Sequence, residues 1–135
     1  MLKPAAFAVA AAMTAVLALP AGAQDHSRTE RVQFARGASS ATLHGNLHGY
    51  DTVDYVLGAR RGQTLNVRLQ PTNASAYFNV TRQGADEALF IGSTSGNQFS
   101  GQLPANGDYV VRVYLMRNAA RRDEHANYTL TVGVR

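Results

Sequence analysis

The chain has no cysteine and no tryptophan among its 135 residues. Without cysteine there is no disulfide framework, thiolate nucleophile, thiolate metal site or lipoprotein anchor. Lysine occurs once, at Lys3, and every other basic side chain is an arginine or a histidine. Beyond residue 23 twelve arginines face nine acids, so the net charge is +3 with histidine neutral. That is mildly basic and far short of a nucleic-acid tail. The basic doublets Arg60-Arg61 and Arg121-Arg122 do not change this, because Asp123-Glu124 directly follows the second. No nucleic-acid partner is expected.

Long apolar runs are also absent, with one exception. Ala5–Leu19 is apolar apart from Thr14, follows the positive Lys3, and is broken by Pro20 before Ala21-Gly22-Ala23. This predicts a secretory signal over residues 1–23, cut before Gln24. The run is short of the ~20 residues that span a bilayer, so no stable membrane insertion is expected. A disulfide-free protein released into the periplasm must draw its stability from its core. The remaining chain is long enough for one domain that buries roughly two-thirds of its unfolded surface.

Residues 24–31 are polar and without pattern, and read as a flexible lead. From Val32 the chain is a series of short β-prone runs, forming one domain over residues 32–135. Val53, Tyr55 and Leu57 share one parity, and Leu65, Val67 and Leu69 alternate with Asn66 and Arg68. Phe78 and Val80 follow, then Tyr109, Val111, Val113 and Leu115, and last Tyr128, Leu130, Val132 and Val134. Period two with turn residues between the runs predicts a single-domain, all-β antiparallel sandwich of about eight strands. Asn106-Gly107 fits a tight hairpin turn. The strands at 108–116 and 127–134 are expected to pair as a hairpin. Their connection, residues 117–126, is longer and more charged than a hairpin needs, which marks it as a binding loop.

Catalytic and metal chemistry finds little support. His44 and His48 lie about 13 Å apart on one strand face, too far for a ligand pair. Asp51, Asp54 and the pair Asp86-Glu87 read as solvated carboxylates, without the spacing of a calcium loop. Gly92-Ser93-Thr94-Ser95-Gly96 has a threonine where a nucleophile elbow needs serine. No enzyme activity, metal or cofactor is expected. Binding is what remains. Arg117 and Arg121 share a face if their segment makes one helical turn, forming a cationic fork suited to carboxylates. The competing reading is a loop whose arginines are neutralised by Asp123 and Glu124. Tyr50, on the Gly49-Tyr50-Asp51 turn, is either displayed or folded over the sandwich edge.

Three separated segments carry a resemblance: His48-Gly49-Tyr50-Asp51-Thr52-Val53-Asp54-Tyr55, Leu103-Pro104-Ala105-Asn106-Gly107-Asp108-Tyr109, and Arg112 to Arg122. With the Phe34-Ala35-Arg36-Gly37 start and the Tyr128–Val132 end, they resemble the bacterial periplasmic inhibitors of goose-type (g-type) lysozyme, from about Val32 to Val134. The resemblance implies a sandwich whose loops at one end enter the enzyme's peptidoglycan-binding cleft. It implies that Arg117 and Arg121 bind the lysozyme, with Tyr50 and Asp51 beside them. Asn118 and Arg122 belong to the same loop, and Ser95 and Gly96 are looser contacts. The partner would be a g-type lysozyme, of a host or of the bacterium itself. The alternative is a non-inhibitory periplasmic accessory domain on the same scaffold, recognising envelope glycan or another secreted protein.

Overall fold

The computed structural model describes residues 27–135, so the export signal expected over residues 1–23 lies outside the described residues. Two sheets face each other. One has five strands in the order β1 (Ser27–Arg31), β3 (Thr52–Ala59), β8 (Gly107–Leu115), β5 (Ala76–Arg82) and β6 (Ala88–Ile91). The other has four, in the order β2 (Ser40–His48), β9 (His125–Val134), β4 (Thr64–Pro71) and β7 (Gln98–Gln102). Two single-turn helices sit in connections: α1 (Gly92–Ser95) and α2 (Arg117–Arg121).

The alternating residues fill the space between the sheets. Tyr55, Leu57, Phe78, Val80, Tyr109, Val111 and Val113 from one sheet meet Leu47, Leu65, Val67, Leu69, Leu130 and Val132 from the other, all buried. Each such side chain stabilises the fold by about 1.5–3 kcal/mol relative to exposure. Two tyrosines bridge the sheets. The Tyr55 and Tyr128 hydroxyls lie 2.6 Å apart, which satisfies both polar tips inside the core. Burial and that hydrogen bond push the Tyr128 phenol well above its ordinary range. Gly45, opposite Tyr128 in the ladder, makes room for its ring: a Cβ there would meet the phenol oxygen and its carbon.

Three expectations need correction. The lead is not wholly without structure: residues 27–31 form β1, the one parallel pairing among the described residues, against the edge of β3. All five of its residues are exposed, so no apolar alternation announced it. It is held by the backbone ladder, by Ser27 Oγ to Thr52 Oγ1 at 2.8 Å, and by Arg31 to Asp108 at 3.3 Å. The strands at 108–116 and 127–134 are not a hairpin, because β8 and β9 belong to opposite sheets. Nor does Asn106-Gly107 turn a hairpin, since it leads from β7 in one sheet to β8 in the other. Every connection except β5–β6 passes between sheets. Alternation reports which face of a strand is buried, but not which strand lies beside it.

Candidate functional site

Strand direction gathers the candidate loops at one end. The ladders pair Thr52 with Tyr114, Ala76 with Leu115, and His48 with His125. The turn before β3, the turn before β5 and the β8–β9 connection therefore emerge together. Arg60 and Arg61 lie at the opposite end, in the β3–β4 turn, where the Arg61 amide donates to Asn106 Oδ1 at 2.8 Å.

The long connection crosses between the sheets through α2. Ala119 and Ala120 are buried and seat the helix on the end of the core. Arg117, Asn118 and Arg121 face outward and are exposed. The helix ends in a Schellman arrangement. The Glu124 amide donates to the Ala119 carbonyl at 3.1 Å and the Asp123 amide to the Ala120 carbonyl at 3.0 Å. The left-handed residue that closes this motif is Asp123, with φ +60°. A non-glycine residue there costs about 1–2 kcal/mol.

The charges of this loop divide unevenly. Arg122 Nε donates to Glu124 Oε2 at 2.7 Å, while Asn73 Nδ2 donates to Glu124 Oε1 at 3.0 Å. Asp123 Oδ1 lies 2.9 Å from His48 Nε2. A carboxylate only accepts, so the imidazole nitrogen is the donor. Both acids are thus engaged, and neither Arg117 nor Arg121 has an ion pair among the described residues. The fork stands free of the neutralising acids. Arg122 is exposed but is tied to Glu124 and braces the loop. Asn118 Oδ1 accepts from the Ala119 amide at 2.9 Å.

The neighbouring turn is tied to this loop. The Gly49 amide donates to the Glu124 carbonyl at 2.9 Å, and the His48 and His125 rings stack in parallel at 4.1 Å. The Asp51 amide donates to the His48 carbonyl at 3.1 Å and closes the turn. Tyr50, at its tip, is 48% exposed and is displayed rather than folded over the edge. Tyr50 and Arg117 line one hollow of about 350 Å³ with Asp51, Tyr114, Asn79 and Arg112. Its floor is ordered: Tyr114 donates to Asn79 Oδ1 at 2.9 Å, and Arg112 grips Asp54 through two bonds of 2.7 and 2.9 Å. Asp54 is therefore a strand residue held by an arginine, not a loop carboxylate. Ser95 and Gly96 lie at the same end but beyond β6, which is two strand spacings, or about 10 Å, from β8. Sequence reasoning marked Asp123 and Glu124 as neutralising acids, but it missed Asn73 and His125 and the contacts of Glu124 with Asn73 and of Asp123 with His48, which join positions distant in the chain.

Asn73 and then Arg122 hold the Glu124 carboxyl below the ordinary glutamate range. The folded value is lower than the unfolded one. The stabilisation is therefore fully present above the unfolded pKa and is lost as pH falls through the folded value. Acidification through and below the ordinary glutamate range is expected to loosen this loop. Glu124→Gln should flatten that part of a melting-temperature profile between pH 6 and 3, and an unchanged profile would show that Glu124 contributes nothing.

Among the described residues no group of three His, Cys, Asp or Glu side chains is placed to hold a metal ion. Another hollow, of about 660 Å³, is an open trough on the outer face of the four-stranded sheet, lined among others by Asn66, Arg68, Gln98 and Ser100. It carries none of the candidate residues.

No protein-family model matches the chain. It is 33% identical over 109 residues to the inhibitor of g-type lysozyme of Escherichia coli K12, across 77% of this chain and 79% of that protein. The crystal structure of Aeromonas hydrophila PliG, a periplasmic inhibitor of g-type lysozyme, matches with a TM-score of 0.77 at 41% identity. The match covers 83% of this chain and 100% of the other. The PliG of Salmonella Typhimurium matches with a TM-score of 0.62 at 27% identity, over 80% of this chain and 98% of the other. With identity at this level across most of the Escherichia coli protein, the chain belongs to the family of bacterial periplasmic inhibitors of g-type lysozyme.

Proposed function

We propose that this protein inhibits a g-type lysozyme in the periplasm by seating the α2 end of its sandwich in the enzyme's peptidoglycan-binding cleft. The observation that carries the reading is the pair of exposed arginines, one helical turn apart, without an acidic partner among the described residues, on a loop whose own acids are both engaged. A glycosidase cleft holds catalytic carboxylates in a groove shaped for sugars. A guanidinium offers such a carboxylate two parallel hydrogen bonds, which an ammonium does not match. Arg117 is the principal contact, Arg121 supports it, and Tyr50 supplies ring area and a hydroxyl beside them. The inhibitor does no chemistry. It occupies the place of the polysaccharide.

Rigidity makes a small surface effective. α2 is anchored by Ala119 and Ala120 below and by Arg122, Asn73 and Glu124 behind. Little backbone entropy is then left to lose on docking, and the remaining cost is ordering the arginine side chains. The global charge, +4 over the full sequence, matters less than this local match.

Competition tests the reading. Titrating the protein into a g-type lysozyme should give a binding heat that soluble peptidoglycan fragments progressively suppress. A heat unaffected by saturating fragment would place the contact outside the cleft. The opposite end serves as the control. Arg60→Ala and Arg61→Ala should each change the inhibition constant by less than about 2-fold, as expected of surface changes far from the contact. A loss of 10-fold at either position would mean that the wrong end has been assigned.

A further inference from the structure

Asp123 occupies a position that chemistry would normally give to glycine. It is the left-handed residue that closes the α2 Schellman motif, with φ +60°. Glycine is favoured there because it carries no Cβ. Among the described residues the aspartate's one side-chain partner is His48, and the two side chains are 75% and 47% exposed. A pair so open to solvent adds little to folding stability. Stability alone therefore does not account for an aspartate here.

What the aspartate does is geometric. Its carboxylate reaches from the arginine loop to the turn that displays Tyr50. It meets His48 on that turn, and a Cβ on Gly49 would lie 2.9 Å from the same oxygen, Asp123 Oδ1. Gly49 also has a positive φ, +60°. So both loops carry a left-handed residue where they meet, and Gly49, without a Cβ, leaves room for the Asp123 carboxylate. The Gly49 amide to the Glu124 carbonyl, at 2.9 Å, and the stack of His48 on His125 complete the junction.

We infer that Asp123 is a positioning residue: by clamping His48 it fixes the Tyr50 turn against the α2 loop and sets the spacing of Tyr50 and Arg117, at the expense of local backbone stability. The inference rests on the inhibitor reading above. It separates from a merely structural role because the two make opposite predictions for one substitution. Asp123→Gly relieves the left-handed strain and removes the clamp. Asp123→Asn keeps an acceptor oxygen toward His48 and tolerates the same backbone.

The test compares the protein with Asp123→Gly and Asp123→Asn by melting temperature, by inhibition of a g-type lysozyme, and by hydrogen exchange at the Gly49 amide. Asp123→Gly should melt at the same temperature or higher, yet inhibit on the order of 5-fold more weakly, the scale of one exposed charge pair. Its Gly49 amide should exchange faster. Asp123→Asn should restore all three readings. Wild-type inhibition by Asp123→Gly, or a loss of inhibition matched by a fall in melting temperature, would overturn the inference. If the unaltered protein fails to inhibit, the functional reading falls. The positioning claim is then decided by the Gly49 exchange rate alone, and an unchanged rate overturns it.

Discussion

Arg117→Ala is expected to weaken inhibition of a g-type lysozyme by about 30-fold or more, while the melting temperature stays where it was. The two halves of that result have different origins. Arg117 is exposed and has no ion pair among the described residues, so the free protein loses nothing that holds it together. Exposed substitutions of this kind stay within about 0.5 kcal/mol. On the proposed mode of inhibition the same guanidinium is desolvated against a carboxylate of the enzyme, and truncating such a contact costs about 2–5 kcal/mol. The lower bound corresponds to about 30-fold in affinity. Arg117→Lys sharpens the point. It keeps the charge and removes the planar fork, so most of the loss should persist. If the lysine variant inhibited as well as the arginine, the contact would be a simple charge attraction. If Arg117→Ala inhibited as well as the unaltered protein, the site would lie elsewhere.

Phe78→Ala is expected to do the reverse. It should destabilise the fold by about 3–5 kcal/mol and lower the melting temperature by roughly 15 °C or more, with inhibition by the folded fraction nearly unchanged. Phe78 is fully buried in β5, and its ring lies 5.1 Å from that of Phe90, which in turn lies 5.2 Å from Phe99. This row of rings runs from the five-stranded sheet to β7 of the four-stranded sheet. Its removal leaves a cavity in a packed interior rather than a dent at an edge. The loss is a large part of the ~5–15 kcal/mol that a domain of this size typically has. Chemical unfolding measures it directly. A cost below about 1.5 kcal/mol would mean that the two sheets close over the gap and that the ring row is not a structural bridge.

These two residues also show what the sequence carries and what it withholds. Phe78 and its kind are legible because each strand has one face on the core, and period two marks that face. Tyr55, Tyr109 and Leu130 could be assigned to the interior before any fold was known, and each is fully buried. The neighbours of each strand were not legible. β8 and β9 are both strong strands in succession, yet α2 carries the chain from one sheet to the other. β1 gave no signal at all, since it pairs through its backbone and exposes every side chain. In the candidate site, the spacing of Arg117 and Arg121 announced a shared face, because positions four apart adjoin on a helix. The same spacing could not tell which acids would claim which arginines. That is decided by Asn73, which holds Glu124 from 51 positions away, and by His48, which holds Asp123. Both act across the end of the sandwich, and no local pattern reports them.

Selective inhibition through the α2 end is read from lysis of a peptidoglycan suspension by g-type, chicken-type and invertebrate-type lysozymes, each with increasing inhibitor and each repeated with Arg117→Ala. Dose-dependent protection against the g-type enzyme alone is expected, largely abolished by the substitution. Protection against none of the three, or equal protection by the substituted protein, would contradict it.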